Sequence, residues 1–132
     1  MITGLAHVGI AVKNLEEAVA IYEGALGLKV EKTRVLEERK LRIAFILAGD
    51  TRIELLEPTD TEGPVAKFIE KRGEGMHHLA FTVSNIQAAL QEMKDKGIAV
   101  VDEKPRLGAE GYETAFLHPK SLKNVLVEFC EE

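Results

Sequence analysis

The clearest strand signal lies near the start of the chain, where bulky and small residues alternate over residues 5–12. The bulky apolar residues and the small or polar ones occupy opposite sets of alternate positions: Val8, Ile10 and Val12 against His7, Gly9 and Ala11. Because successive side chains of a strand point to opposite faces, one face of this strand is apolar and the other is open and polar.

A helix is predicted directly after this strand. Asn14 is a favourable N-cap residue, and Glu17 three positions later completes a capping-box signal. The apolar residues that follow recur at helical spacing and form one stripe: Leu15, Ala18, Val19, Tyr22, Ala25 and Leu26. Gly27 is predicted to end the helix, because glycine readily adopts the left-handed conformation that closes helices.

The same pattern recurs in the second half of the chain. Residues 7–15 resemble residues 78–86 at an offset of 71 positions, and Gly97 repeats Gly27 at an offset of 70. Matching short segments lie further on: Ala44-Phe45 and Ala115-Phe116 at offset 71, and Ile53-Glu54-Leu55 and Val127-Glu128-Phe129 at offset 74. This repeat predicts a single domain over residues 1–132, built from two modules of about residues 1–72 and 73–132.

Each module is predicted to contain one strand, one helix and three further strands, which makes the fold class α+β. The later strands of the first module include residues 41–48 and 52–57, and a short helix over residues 65–71 follows. The later strands of the second module are predicted at residues 98–101, 114–117 and 124–129.

The composition limits the classes of function. The chain has no tryptophan and a formal net charge of −5 at pH 7, which argues against a nucleic-acid binder with its usual basic face. No apolar run approaches the roughly 20 residues of a membrane span, and no signal-peptide pattern is present. The single cysteine, Cys130, cannot form an intrachain disulfide. These features predict a cytoplasmic protein that binds neither membranes nor nucleic acids.

Four residues with metal-ligating side chains lie at equivalent positions of the two modules. His7 and His78 lie on the first strand of each module, and Glu54 and Glu128 lie on the last. The alternation puts all four on the face opposite the bulky apolar residues. Two imidazoles and two carboxylates suit Zn, Mn, Co, Ni or Fe better than Ca. The pattern favours one open divalent-metal site, and the alternative is a hydrogen-bonded histidine with solvent-facing carboxylates.

These segments carry a family resemblance that extends over nearly the whole chain. The chain resembles the vicinal oxygen chelate superfamily and, within it, the methylmalonyl-CoA epimerases. The most specific segments are HVGIAV at residues 7–12, GDTRIELLEP at 49–58, GMHHLAF at 75–81, FLHPKS at 116–121 and VLVE at 125–128. The resemblance implies two paired βαβββ modules that form an eight-stranded, cup-shaped sheet with helices on its outer face. It also assigns the ligand role to His7, Glu54, His78 and Glu128.

The function implied by the resemblance is the metal-dependent interconversion of (R)- and (S)-methylmalonyl-CoA through an enolate. A malonyl thioester carries a carbonyl and a carboxylate beside one acidic carbon, and both oxygens can chelate a cation that stabilises the enolate. The implied cofactor is one divalent ion per chain (Co, Mn, Ni or Zn), and members of the superfamily are commonly homodimers. Glu128 is implied to be both a ligand and the base that takes the α-proton.

The resemblance implies that Glu38 is the second acid/base, acting on the opposite face of the substrate. Epimerases carry a carboxylate just before the strand that corresponds to residues 41–48, and Glu38 takes the matching position. The alternation predicts that Glu38 shares the phase of Ala44. The family usually has a glycine nearby, where this chain has Arg39-Lys40. The alternative is a solvated cluster of charges.

The coenzyme A part of this substrate is polyanionic, and one segment of this acidic chain is basic. Between residues 104 and 123 the formal charge is +2. The candidate contacts are the four basic residues and the serine of the His-Pro-Lys-Ser turn: Lys104, Arg106, Lys120, Ser121 and Lys123. Gly108 and Gly111 would let the backbone approach a ligand closely. An ordinary solvated loop is the alternative.

Two rival functions belong to the same fold. Glyoxalase I has metal ligands of the same types and isomerises a glutathione hemithioacetal, but the epimerase-like segment 107–121 argues against it. A non-enzymatic binding module shares the fold and lacks a metal, and the presence of all four ligands argues against this function. Metal analysis separates the module from the enzymes, and a thioester assay separates the two enzymes.

Overall fold

Both halves of the chain fold as a strand, a helix and three further strands, as the repeat predicts. The computed structural model describes all 132 residues. The strands are β1 (Ile2–Ala11), β2 (Lys29–Leu36), β3 (Leu41–Ala48), β4 (Thr51–Pro58), β5 (Gly75–Val83), β6 (Arg106–Leu107), β7 (Glu113–Leu117) and β8 (Val127–Glu131). The helices are α1 (Leu15–Val19), α2 (Pro64–Arg72) and α3 (Ile86–Asp95), with a π-helical turn at Ala20–Ala25 and 3-10 turns at Glu37–Arg39 and Pro119–Ser121. None of the helices is long and apolar enough to cross a membrane.

The chain forms two compact units, and β1 contributes to both. The N-terminal unit comprises His7–His77, and the C-terminal unit comprises Met1–Ala6 and His78–Glu132. In the N-terminal unit the strand order is β2-β3-β4-β1. The strands β2, β3 and β4 are antiparallel neighbours, whereas β1 pairs in parallel with β4.

The helix α1 covers one face of the N-terminal sheet. Asn14 caps it as predicted, because its side chain accepts a hydrogen bond from the N–H of Glu17 at 3.0 Å. A buried cluster joins α1 to the sheet: Val12, Leu15, Ala18, Ala44, Ile46 and Leu55, with Ile10 and Ile53 packed against it. The bulky positions of β1 therefore face the helix, and the alternation directs His7 and Gly9 to the opposite face.

The end of the first helix differs from the predicted α-helical stripe. After Val19 the chain forms a π-helical turn, in which the N–H of Leu26 donates to the carbonyl of Ile21 at 3.2 Å. This wider turn breaks the 3.6-residue period on which the stripe depends. Leu26, predicted to face the sheet, is therefore 61% exposed, and Ala25 is exposed as well.

The C-terminal unit repeats the first architecture. Its strand order is β1-β5-β8-β7-β6, in which β5 and β8 are parallel and β7 pairs antiparallel with both β8 and β6. The first residues of β1 join this unit, where the Ser84 N–H donates to the Met1 carbonyl at 3.0 Å. Asn85 caps α3. The apolar core beneath α3 contains Val83, Ile86, Ala89, Leu90, Ala115, Leu117, Val127 and Phe129.

Two strands of the second module differ from their predicted extents. The segment 98–101 makes only an isolated bridge, between Val100 and Leu117. The Asp102 carboxylate takes the place of a further strand bond, because it accepts a hydrogen bond from the Phe116 N–H at 2.8 Å. The last strand starts at Val127 and not at residue 124, because Asn124 has a left-handed backbone with φ of 68°.

Two glutamates outside the predicted site fix the starts of α1 and α3. Glu57 Oε2 accepts a hydrogen bond from the Leu15 N–H at 2.9 Å, and Glu131 Oε1 accepts one from the Ile86 N–H at 2.7 Å. The first N–H groups of a helix lack partners within the helix, so a carboxylate there is favourable. The Arg42 guanidinium donates to Glu57 at 2.9 Å, which ties the start of α1 to β3.

Candidate functional site

The N-terminal unit holds one buried histidine–glutamate pair, His7 on β1 and Glu54 on β4. His7 Nδ1 lies 3.3 Å from Glu54 Oε2. The parallel register of the two strands explains this contact, since Glu54 is paired with Gly9, two positions after His7.

The C-terminal unit holds the equivalent pair, His78 on β5 and Glu128 on β8. His78 Nε2 lies 3.4 Å from Glu128 Oε1. Glu128 is paired with Ala80, two positions after His78, so this register repeats that of the first pair. None of the four residues exposes more than 7% of its surface.

The chemistry of these side chains fits a divalent metal ion. A buried carboxylate is costly unless it is paired, hydrogen-bonded or bound to a cation. Here each carboxylate lies beside a buried imidazole, and no buried side-chain nitrogen or oxygen in the chain lacks a hydrogen-bond partner. Each pair offers one imidazole nitrogen and carboxylate oxygens, a combination that suits Zn, Mn, Co or Ni.

Two phenylalanines flank the carboxylates and were not among the predicted site residues. Phe45 on β3 is the cross-strand partner of Glu54, and Phe116 on β7 is the partner of Glu128. The Phe116 ring meets the His78 imidazole edge-on, with centroids 5.4 Å apart and an interplanar angle of 83°. The sequence contained a signal for them, because the two phenylalanines repeat at the offset of 71 positions.

Cys130 lies on the same face of β8 as Glu128. Its side chain is buried against Ala6 and Ala80, and a carboxylate oxygen of Glu128 lies within 4.8 Å of its sulfur. Ala80 and Cys130 keep this face of β5 and β8 free of bulky side chains, as the alternation predicts, whereas the bulky Phe116 lies beside Glu128 on β7.

The predicted phase of Glu38 is wrong. Glu38 lies in the 3-10 turn Glu37–Arg39, outside β3, so the alternation of β3 does not determine where its side chain points. Moreover, Ala44 packs in the cluster beneath α1, and it is Phe45 that pairs with Glu54. The phase of Ala44 therefore marks the face opposite Glu54. Glu38 is exposed, and its role as an acid/base stays a prediction.

The residues predicted to bind coenzyme A lie at the surface of the C-terminal unit. The four basic residues are exposed and the serine is half-buried: Lys104, Arg106, Lys120 and Lys123, and Ser121. Ser121 Oγ accepts a hydrogen bond from the Ala99 N–H at 2.9 Å. Arg106 Nε lies 3.7 Å from an Asp102 carboxylate oxygen, whereas the three lysines form no ion pair. The lysine charges are therefore available to an anionic ligand.

The two glycines of this segment have structural roles that do not involve a ligand. A Cβ atom at Gly108 would lie 2.6 Å from Thr114 Cγ2, and Gly111 has a φ of 87° in the loop between β6 and β7. The packing of the loop thus explains both glycines, and they do not support the predicted close approach of a ligand.

Comparison with known proteins identifies relatives that cover nearly the whole chain. The Glyoxalase/Bleomycin resistance protein/Dioxygenase superfamily matches residues 6–116. The mitochondrial methylmalonyl-CoA epimerase of Homo sapiens is 42% identical over 125 residues, which cover 94% of this chain and 71% of the human protein. An ethylmalonyl-CoA/methylmalonyl-CoA epimerase of Cereibacter sphaeroides is 39% identical over 130 residues, which cover 97% of each chain.

A solved structure matches the fold of the chain over its full length. A variant of Streptomyces coelicolor methylmalonyl-CoA epimerase, in complex with 2-nitronate-propionyl-CoA, superimposes with a TM-score of 0.95 at 36% identity and covers 100% of this chain and 99% of that chain. The predicted fold class, α+β with two βαβββ modules and eight strands, is thereby confirmed. The chain belongs to the Glyoxalase/Bleomycin resistance protein/Dioxygenase superfamily and, within it, to the methylmalonyl-CoA epimerase family.

Proposed function

We propose that this chain interconverts (R)- and (S)-methylmalonyl-CoA, with one divalent metal ion held by His7, Glu54, His78 and Glu128. The observation that carries the proposal is the repeated register, which buries a histidine beside a glutamate in each unit, at 3.3 Å and 3.4 Å. Relatives that are 39% and 42% identical over nearly the whole chain are named as epimerases of this substrate, which supports the reaction.

The reaction requires removal of a weakly acidic proton from the carbon between the thioester and the carboxylate. When bound, the cation supplies positive charge that stabilises the enolate oxygen. The proton itself needs a base within hydrogen-bond reach. Glu128 is the proposed base on one face of this carbon, because a buried carboxylate beside the substrate has little water to compete with it.

Inversion of the carbon requires a second group on the opposite face. Glu38 is the proposed second acid/base, since it takes the position of the second carboxylate of the epimerases. It returns a proton to the enolate when Glu128 has removed one, and the two groups exchange roles in the reverse direction. The stereochemistry of the product is therefore determined by which of the two carboxyl groups donates the proton.

The proposed coenzyme A contacts are Lys104, Arg106, Lys120, Ser121 and Lys123. Three exposed lysines without ion pairs provide positive charge for phosphate groups, and the half-buried Ser121 provides a hydroxyl donor. Each exposed contact is expected to contribute only about 0–1 kcal/mol to the binding free energy. The main effect of this segment is therefore electrostatic attraction of the anionic substrate.

Metal analysis tests the proposed ligands. The chain is stripped with a chelator, reloaded separately with Co, Mn, Ni and Zn, and analysed for bound metal. We expect one ion per chain, and we expect a His7→Ala, His78→Ala double variant to lose it. His77→Ala is the matched control, because His77 lies beside His78 on β5 but packs against Phe68, with ring centroids 5.0 Å apart. Unchanged metal binding by the double variant would overturn this ligand set.

Solvent-deuterium exchange tests the reaction. The metal-loaded protein is incubated in deuterated buffer with (R)- and, separately, (S)-methylmalonyl-CoA, and deuterium at the α-carbon is measured. We expect incorporation from both epimers. No incorporation, together with turnover of a glutathione hemithioacetal, would establish the glyoxalase function instead. Binding of a ligand by the metal-free chain without any turnover would establish the non-catalytic binding module.

A further inference from the structure

The turn between β2 and β3 contains a lysine in a backbone conformation that glycine usually adopts. Lys40 has φ of 57° and ψ of 48°, which is the left-handed region that L-residues other than asparagine and aspartate rarely occupy. Lys40 directly follows the 3-10 turn Glu37–Arg39. The backbone at Lys40 therefore determines how this turn, and Glu38 within it, is oriented relative to β3.

Three interactions hold Lys40 in this conformation. Its N–H donates to the Glu37 carbonyl at 3.1 Å, and its own carbonyl accepts from the Thr59 N–H at 2.9 Å. Its ammonium group lies 3.0 Å from Asp60 Oδ2. The turn is thus connected to the segment that leads from β4 to α2, through the backbone at Thr59 and through an ion pair at Asp60.

Asp60 is itself fixed by the start of α2. Its Oδ1 atom accepts hydrogen bonds from the N–H groups of Glu62 at 3.0 Å and Gly63 at 3.2 Å. A Cβ atom at Gly63 would lie 3.8 Å from both the Arg39 carbonyl oxygen and Lys40 Cβ, so this loop packs directly on the turn. The hydrogen bond from Lys40, together with the two backbone N–H groups, lowers the pKa of Asp60, so these contacts stabilise the charged carboxylate.

We propose that the Lys40–Asp60 ion pair positions Glu38 for proton transfer by holding the turn in its left-handed conformation. This inference rests on the proposed function of Glu38. Glu38 is exposed and forms no ion pair of its own, so the backbone of the turn sets the position from which its side chain extends. A glycine at position 40 would adopt the same conformation without strain, and the ion pair compensates for its absence.

The test substitutes Asp60 by asparagine. Asp60→Asn keeps an oxygen for the N–H groups of Glu62 and Gly63 and removes the charge that Lys40 contacts. We expect the rate of deuterium exchange to fall roughly two- to fivefold for the epimer that depends on Glu38. This factor corresponds to the usual contribution of a surface ion pair. Exchange of the other epimer and the KM are expected to stay unchanged. Glu92→Gln is the matched control, since it breaks the Lys96–Glu92 ion pair at the C-terminal end of α3, which has an N–O distance of 2.7 Å.

A second substitution distinguishes positioning from simple loss of structure. In the Lys40→Gly, Asp60→Asn double variant, glycine holds the left-handed conformation without the ion pair. We expect exchange of the Glu38-dependent epimer to recover relative to Asp60→Asn alone. Equal slowing of both epimers by Asp60→Asn, or no recovery in the double variant, would overturn the proposal.

An NMR measurement separates failure of this inference from failure of the proposed function. In Asp60→Asn we expect amide hydrogen exchange at Lys40 and Thr59 to speed up by roughly two- to fivefold, whereas amides of α3 stay unchanged. Faster amide exchange together with normal epimer exchange would show that the ion pair holds the turn but does not position Glu38. If Glu38→Gln slows the exchange of neither epimer, the acid/base role proposed for Glu38 is wrong. Unchanged amide exchange in Asp60→Asn would show that the ion pair does not hold the turn.

Discussion

Glu128 has two proposed roles, as a ligand of the metal ion and as the base that removes the α-proton of the substrate. As a ligand it needs one oxygen, whereas as a base it needs the negative charge that accepts a proton. Glutamine keeps the size and one oxygen but cannot accept a proton at neutral pH. Glu38, by contrast, is proposed to act as an acid/base without binding the metal. Two single substitutions therefore separate the roles of these residues.

Glu128→Gln is expected to lose about 10²–10⁴ in epimerisation rate, the usual contribution of a general base, even when metal occupancy is restored. Glu38→Gln is expected to lose a similar factor with metal binding unchanged. Deuterium exchange should persist with one epimer and disappear with the other, in opposite senses for the two variants. Glu37→Gln is the matched control, because Glu37 lies in the same 3-10 turn and has no proposed role.

Two outcomes would contradict this division of roles. Loss of exchange with both epimers in Glu128→Gln alone would mean that one carboxylate serves both faces. Turnover near the wild-type rate in a fully metallated Glu128→Gln variant would leave Glu128 as a ligand only.

Single residues on strands were predictable where alternation determined their face, and unpredictable where a turn intervened. His7 and Glu128 lie on the face that their strands predict, because the period of two continues through both positions. Glu38 was assigned the wrong phase because the 3-10 turn ends the alternation before it. The sequence offered one clue, since a family glycine is replaced there by Arg39-Lys40.

The starts of α1 and α3 depend on a carboxylate from the last strand of each module. Glu131→Ala removes the acceptor of the Ile86 N–H, and we expect the free energy of unfolding to fall by about 0.5–2 kcal/mol, as for loss of a helix cap. Glu57→Ala should cost more, because it also removes a partner of the Arg42 guanidinium. Urea denaturation measures both changes.

Glu132→Ala is the control for this prediction. Glu132 neighbours Glu131 in sequence and is exposed, so its removal should change the free energy of unfolding by less than about 0.5 kcal/mol. Equal effects of the Glu131 and Glu132 substitutions would show that the hydrogen bond to Ile86 does not stabilise the helix.

Helices and strands were predicted best where a local signal marked their ends. Asn14 and Asn85 fix the helix starts through their own side chains, so the sequence was sufficient. The π-helical turn at Ala20–Ala25 follows no local signal, because its residues are compatible with an α-helix. The segment 98–101 was predicted as a strand from its apolar residues, but the distant Phe116 N–H bonds the Asp102 side chain instead.

The whole molecule carries a net charge of −5, although its proposed substrate is an anion. We expect Lys120→Ala, Lys123→Ala to raise KM at low salt by up to about 25-fold, which corresponds to at most about 1 kcal/mol per lysine. The effect should shrink as salt screens the charges, so the double variant has a weaker salt dependence than the wild type. Steady-state kinetics at several salt concentrations measure both.

A second double variant controls for the overall charge. Lys67→Ala, Lys71→Ala removes the same charge from exposed positions on α2 and is expected to leave the salt dependence of KM nearly unchanged. If both double variants weaken the salt dependence of KM equally, net charge and not the segment 104–123 attracts the substrate. An unchanged salt dependence in both would place the nucleotide elsewhere.

At the scale of the whole chain, the repeat predicted two similar modules but not their membership. Periodicity describes which residues of a strand are buried, and it does not identify the strand with which each residue pairs. Residues Met1–Ala6 lie in the predicted first module, yet they belong to the same unit as residues 78–132. Only the three-dimensional structure reveals this assignment.

That assignment has a consequence for the order in which the protein is made. A ribosome adds about 5–20 residues per second, so Met1–Ala6 wait several seconds, for some 70 further residues, before their partner strand β5 exists. During that time the apolar side chains of Ile2 and Leu5 lie on a segment whose partner strand has not yet been made. The second unit is therefore completed by a segment that is synthesised before the first unit, and a fragment of residues 78–132 would lack the strand segment Met1–Ala6.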